Sequence, residues 1–228
     1  MLLRFNIVCS SSKCHDELQV AKLDETAYLL EIDELENGKE TNQIGTLKQV
    51  GDTRWSSHFS SICSLINMYD ATCSVLEKNI VDGFTYSQCG DADNSYKSLT
   101  SFEFILILYL MREIIGIINV LCQALRQQSQ DIVNVMCLVC FTKALIQNLR
   151  ENGYDELLKN VTSFCEKHDI EVPNFGVSNV ARQVRSRHQK NHITVEHYLR
   201  VEIFFVIIDK HLQELNCRFN DHKQSYYF

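Results

Sequence analysis

The chain has 228 residues, 45% of them hydrophobic, and a net charge of -7. That is enough apolar material to bury the core of one large domain or two small ones, which excludes a disordered or fibrous chain. The acidic balance excludes a global basic field, so any contact with nucleic acid or anionic lipid has to be local.

From Asp16 to Glu40 acidic residues outnumber Lys22 and Lys39, while Leu18, Leu23, Leu29, Leu30 and Leu35 recur at mostly helical intervals, Leu18 to Leu29 and Leu23 to Leu30 spanning whole turns. This predicts an acidic amphipathic helix ending near Asn37-Gly38, then an extended connection up to Thr53, so that residues 1–50 form one region. The segment GDTRWSSH follows and holds the sole tryptophan, Trp55, beside Arg54. A lone Trp is ordinarily a core or hinge anchor, because its ring buries well and its indole N–H needs one partner. From Ser56 to Val81 the residues Phe59, Ile62, Ile66, Tyr69, Cys73 and Leu76 lie three or four apart and predict one helix, capped by Thr53 or Ser56 and stopped at Asp82-Gly83. The stretch from Phe84 to Lys97, rich in Ser, Asp, Asn and Gly, reads as a polar loop.

Phe102 to Leu125 is apolar around most of its circumference and predicts a helix buried on several sides. Within it IIGIINVLC is too short to span a bilayer, and Arg112 and Glu113 separate it from FILILYLM, so no membrane segment is expected. Gln127 to Ser129 make a turn, Asp131 starts a third long helix, Gly153 ends it, and Tyr154 to Lys167 form a fourth. The single proline, Pro173, opens a loop over about 173–193 that carries Arg182, Arg185, Arg187 and Lys190 with no acidic residue between Glu171 and Glu196. The last helix runs from about Thr194 to Arg218 with Tyr198, Val201, Phe204, Phe205, Ile208, Leu212 and Leu215 inward. One proline, eight glycines and no alternating strand predict an all-α chain built as a long-helix bundle.

Ten cysteines are scattered along the length, and MLLRF is followed by polar sequence, which points to reduced, intracellular thiols. Cys137-x-x-Cys140 is the sole C-x-x-C, and zinc would need two further ligands that no second pair supplies, so both are expected to be core cysteines. Cys14-His15 and the series His188, His192, His197 lack metal spacing. Phosphate-loop, dinucleotide, serine-hydrolase and metalloprotease motifs are absent, so no cofactor, metal or small-molecule substrate is expected. The basic loop can neutralise phosphates locally, or it can pair with the acidic first helix as a solvated segment.

Taken in order, GDTRWSSH, LTSFEFILILYLMREIIGIINVLCQALRQQSQDIVN, LIQNLRENGYDELLKNVTSFCEKHDIEVPNF and ITVEHYLRVEIFFVIIDKHLQELNCRF resemble the plant hAT-type transposase-derived proteins, the TTF-type or MYM-type zinc-finger proteins with a hAT dimerisation region. The resemblance implies that residues 51–228 correspond to the helical insertion of a transposase and that the protein is nuclear. It also implies that Arg54 and Trp55 contact DNA ends, with Arg182, Arg185, Arg187 and Lys190 as further cations, since an indole can stack on an unpaired base while guanidinium holds phosphate. The two Asp and one Glu of the family's nuclease centre would lie before Met1 and after Phe228. Lys13-Cys14 stands where relatives often carry Lys-Arg. Glu103 falls among insertion-like helices and is not promoted to a catalytic role. The expectation is a non-catalytic hAT-like chain whose partners are DNA and other hAT-like proteins, with no membrane role. A helical protein-interaction module without DNA binding, or a remnant with no selected function, are the alternatives.

Overall fold

The computed structural model of the protein describes Val20 and residues 55–83, 85–126, 131–178 and 193–224, and the side chains of these except at 55, 56 and 220–224. The predicted acidic helix, apart from Val20, and the connection after it lie outside the described residues. Among the described residues every regular element is helical, and the one pairing of extended backbone is an isolated antiparallel bridge between Ser178 and Thr194. The all-α expectation holds. The chain divides into two units, Met1–Ser101 and Phe102–Phe228.

In the first unit, α1 (Trp55–Asn67) and α2 (Tyr69–Asp82) occupy the span predicted as one helix. They meet at Met68, whose φ of -112° and ψ of 24° depart from helical values. Backbone bonding continues through the junction, with Met68 N bonded to Ser64 O at 3.0 Å and Thr72 N to Met68 O at 2.9 Å. The Met68 carbonyl also accepts from the Thr72 hydroxyl at 2.7 Å. A hydroxyl bonded back to the i-4 carbonyl bends a helix only slightly, and Thr142 makes the same bond to Leu138 O at 2.8 Å without interrupting its helix, so this bond accompanies the junction without explaining it.

The predicted polar loop is instead a helix, α3 (Tyr86–Leu99). Thr85 caps it by accepting from Gln88 N at 3.3 Å, and Ala92, Ser95 and Leu99 form a narrow buried stripe against α2. Tyr69 donates to Leu99 O at 3.1 Å and Tyr96 to Glu77 at 2.6 Å, tying the hairpin. Its turn is close: a Cβ on Gly83 would stand 2.6 Å from Cys89 Sγ and 2.7 Å from Asn79 O.

The second unit is built around α4 (Phe102–Leu125), with Ile105, Leu106, Leu108, Leu110 and Ile114 fully buried. Against it lie α5 (Ile132–Asn152) and α6 (Tyr154–Lys167), joined through Gly153, whose N–H bonds to Leu149 O at 2.8 Å. These bounds match the predicted ones. Tyr109 of α4 meets Phe164 of α6 with ring centroids 5.4 Å apart, and Arg112 lies 4.5 Å above the Tyr109 ring.

α6 ends in a Schellman turn, with Ile170 N bonded to Cys165 O at 2.8 Å and Asp169 at φ 53°. Any residue with a Cβ pays something for the left-handed conformation, aspartate less than most, and here its charge also sits at the negative end of the helix dipole. Asp169→Gly is therefore expected to stabilise the protein by about 0.5–1 kcal/mol, read as a higher denaturant midpoint with an unchanged slope.

The final helix begins with α7 (Val195–His197), passes through a π-helical stretch (Tyr198–Phe205) and ends as α8 (Val206–Gln224). The wider turn re-phases the inner face: Tyr198, Leu199, Ile203, Phe204, Ile208 and Leu215 are buried. Val201 and Phe205, predicted inward from the α period, are half-buried. Phe204 packs edge-on to Tyr154 at 5.2 Å. Arg150 of α5 holds Asp209 of α8 through two bonds of 2.6 and 3.1 Å while stacking 4.7 Å above Phe205.

Candidate interaction surface

Arg54, Arg182, Arg185, Arg187 and Lys190 lie outside the described residues, as do Cys14, His15, His188 and His192. Trp55 is the first residue of α1, and its side chain is likewise outside them. The structure does place the two roots of the basic segment. Val195 N bonds to Val177 O at 3.0 Å and Glu196 N to Phe175 O at 3.1 Å, flanking the Ser178–Thr194 bridge. Thr194 then caps the final helix by accepting from His197 N at 3.2 Å. The chain therefore leaves for residues 179–192 and returns from them at one clipped neck. Asn174 folds the approach to that neck by accepting from Gly176 N at 3.1 Å.

Glu103 accepts from the Tyr198 hydroxyl at 3.1 Å, which ties α4 to the π-helical stretch. Among the described residues no group of three or more His, Cys, Asp or Glu side chains is placed to hold a metal ion.

The expectation for Cys137 and Cys140 is overturned: both are exposed. Their helix has two apolar faces. Val139, Thr142 and Ile146 point inward, and on the opposite side Val133, Cys137, Cys140, Phe141, Ala144 and Leu145 face solvent at spacings of three and four. Val133 is 64% exposed and Phe141 63%. Asn134, Gln147 and Asn148, also exposed, border the stripe. The sequence carried the signal, since apolar residues run around the whole of α5, but the same pattern also fits a helix with neighbours on every side. α4 is such a helix.

Both α4 and α5 are long and apolar enough to cross a membrane, with mean hydropathy 2.1 and 1.6, yet 56% of the α4 window is buried against 17% of the α5 window. The reading of IIGIINVLC as too short holds for that stretch, while the whole of α4 passes the length test.

Thiol environments differ accordingly. Burial pushes the Cys165 thiol up to about 11, and burial, with Asp70 and Glu77 adding to it, pushes Cys73 up to about 11 against the opposing bond from Tyr69. A thiol whose folded value exceeds its unfolded value of 9.0 favours folding fully below that pH, and loses the contribution as pH climbs towards about 11. Alkylation at neutral pH followed by peptide mapping is expected to modify Cys137, Cys140 and Cys217 first, and Cys73 and Cys165 only as the protein unfolds.

No protein-family profile, curated protein or solved structure matches the chain. The class that the fold defines is an all-helical protein, and its most distinctive described surface is an uncovered apolar helix face.

Proposed function

We propose that the chain is a non-catalytic helical interaction module whose contact surface is the outer face of α5. The apolar stripe from Val133 to Leu145 supports this reading. The largest contiguous apolar patch on a monomeric soluble protein is often a functional one. A photo-crosslinking amino acid placed at Phe141, in cells producing the protein, is expected to give a discrete adduct. The same probe at Val81, an 82% exposed position on α2, serves as the control. Equal yields, or none at 141, would remove the reading.

A second reading is contact with DNA ends by a hAT-like, non-catalytic chain, through Arg54, Trp55 and the basic segment. It is supported by the four cations without an intervening acid. Binding to hairpin-ended DNA is then expected to weaken with salt, and neutralising Arg182, Arg185, Arg187 and Lys190 together to flatten that dependence by roughly 3 slope units. DNA incubated with the protein and Mg2+ or Mn2+ is expected to stay uncut. Salt-independent or undetectable binding at low salt would count against the DNA reading.

A further inference from the structure

We propose that the outer face of α5 pairs with the same face of a second copy of this chain, antiparallel about a two-fold axis through the Cys137–Phe141 span. This rests on the interaction reading above and names its partner.

Shape supports self-pairing. An isologous interface has to carry both protrusion and hollow on one patch, because each copy meets its own surface. The stripe does: Phe141 projects beside the small residues Cys137, Cys140 and Ala144. Two-fold pairing seats each Phe141 ring over the other copy's small residues, and those residues let the helix backbones approach closely.

Charge supports it too. Copies of a chain with net charge -7 repel weakly at physiological salt, so a contact face without acids avoids the strongest part of that repulsion. Between Asp131 and Glu151 the sequence has no acidic residue, and its two cations are Lys143 and Arg150. Arg150 is engaged by Asp209. The exposed positions 133, 134, 137, 140, 141, 144, 145, 147 and 148 are all uncharged, so a two-fold contact brings no like charges together.

Size limits the strength of the pair. A standard specific interface buries about 800 Å² per partner, and this stripe is one helix face with six apolar positions between Val133 and Leu145. A reversible dimer rather than a permanent one is the consequence.

Sedimentation of the full chain over about 1 to 100 μM is expected to show a monomer–dimer equilibrium, with Phe141→Glu weakening it about tenfold or more and leaving the circular dichroism unchanged. Alkylation of Cys137 and Cys140 is expected to slow as protein concentration rises, while Cys217, exposed on α8, keeps its rate. A monomer at every concentration, or a dimer indifferent to Phe141→Glu, overturns the proposal.

The thiols then separate the causes. A monomer with fast-reacting Cys137 and Cys140 leaves the face open to another protein, and the interaction reading survives its proposed partner. A monomer with slow thiols has the face covered by its own chain, and both fall. Flotation of the monomer with anionic phospholipid vesicles, lost on Phe141→Glu, assigns the face to a membrane and overturns the dimer.

Discussion

Phe204→Ala is expected to lower the stability of the protein by about 3–5 kcal/mol, the usual cost of deleting a fully buried large aromatic. Phe204 is 0% exposed, sits in the π-helical stretch and packs on Tyr154 of α6 and Phe205 beside it. The edge-on contact with Tyr154 contributes about 0.5–1.5 kcal/mol beyond the area removed from water. The Tyr154 hydroxyl is buried with no hydrogen-bond partner among the described residues, and burial raises its pKa to about 12. A cavity opened next to it can admit water that bonds to that hydroxyl, which offsets part of the loss. Phe204→Leu, which keeps most of the volume, should cost markedly less. Chemical denaturation of both variants checks the ordering, and a Phe204→Ala variant within 1 kcal/mol of the parent, on the scale of an ordinary surface change, would contradict the packing described.

Ile114→Asp is expected to prevent stable folding of the second unit, while Val133→Asp leaves its stability within about 0.5 kcal/mol. Both replace a β-branched apolar residue on a long apolar helix with a carboxylate. Ile114 on α4 is 0% exposed, so the new group must stay neutral at neutral pH or carry an unpaired charge into the core, a cost of about 3–5 kcal/mol or more. That is comparable to the whole stability of a typical domain. Val133 on α5 is 64% exposed and lies in the first helical turn, where a negative charge is favoured by the helix dipole. Circular dichroism and thermal melts of the two variants distinguish a buried α4 from an open-faced α5.

The bounds of α4, α5 and α6 are legible in the sequence: Asp131 and Gly153 stand at the ends of α5 and Gly153 leads into α6, although the Asp131 side chain makes no capping bond and Gly153 keeps a right-handed helical conformation. The helix Tyr86–Leu99 was hidden because its buried stripe consists of Ala92, Ser95 and Leu99, so that tertiary packing on α2 outweighs a composition typical of loops. The junction at Met68 is a change of backbone angles at one residue, which the hydrophobic period does not register. Cys137 and Cys140 were assigned to the core because periodicity reports where apolar residues fall on a helix, and says nothing of how many neighbours surround it. Of the residues that the sequence offers as DNA contacts, none has a described side chain, and the surface that stands out in the structure holds the two cysteines that the sequence places in the core.

A π turn holds about one residue more than an α turn, so the stretch Tyr198–Phe205 stores a surplus residue inside the final helix. Losing one codon there, at the exposed Glu202 for instance, lets the stretch tighten into α-helix while Thr194 before it and Ile208 and Leu215 after it keep their orientations. The same loss within Val206–Gln224 would turn everything beyond it by about 100° and swing Leu215 out of the core. This helix can therefore tolerate the loss of a residue at one place and resists it elsewhere, which makes Tyr198–Phe205 the stretch where single-residue deletions among related sequences should concentrate.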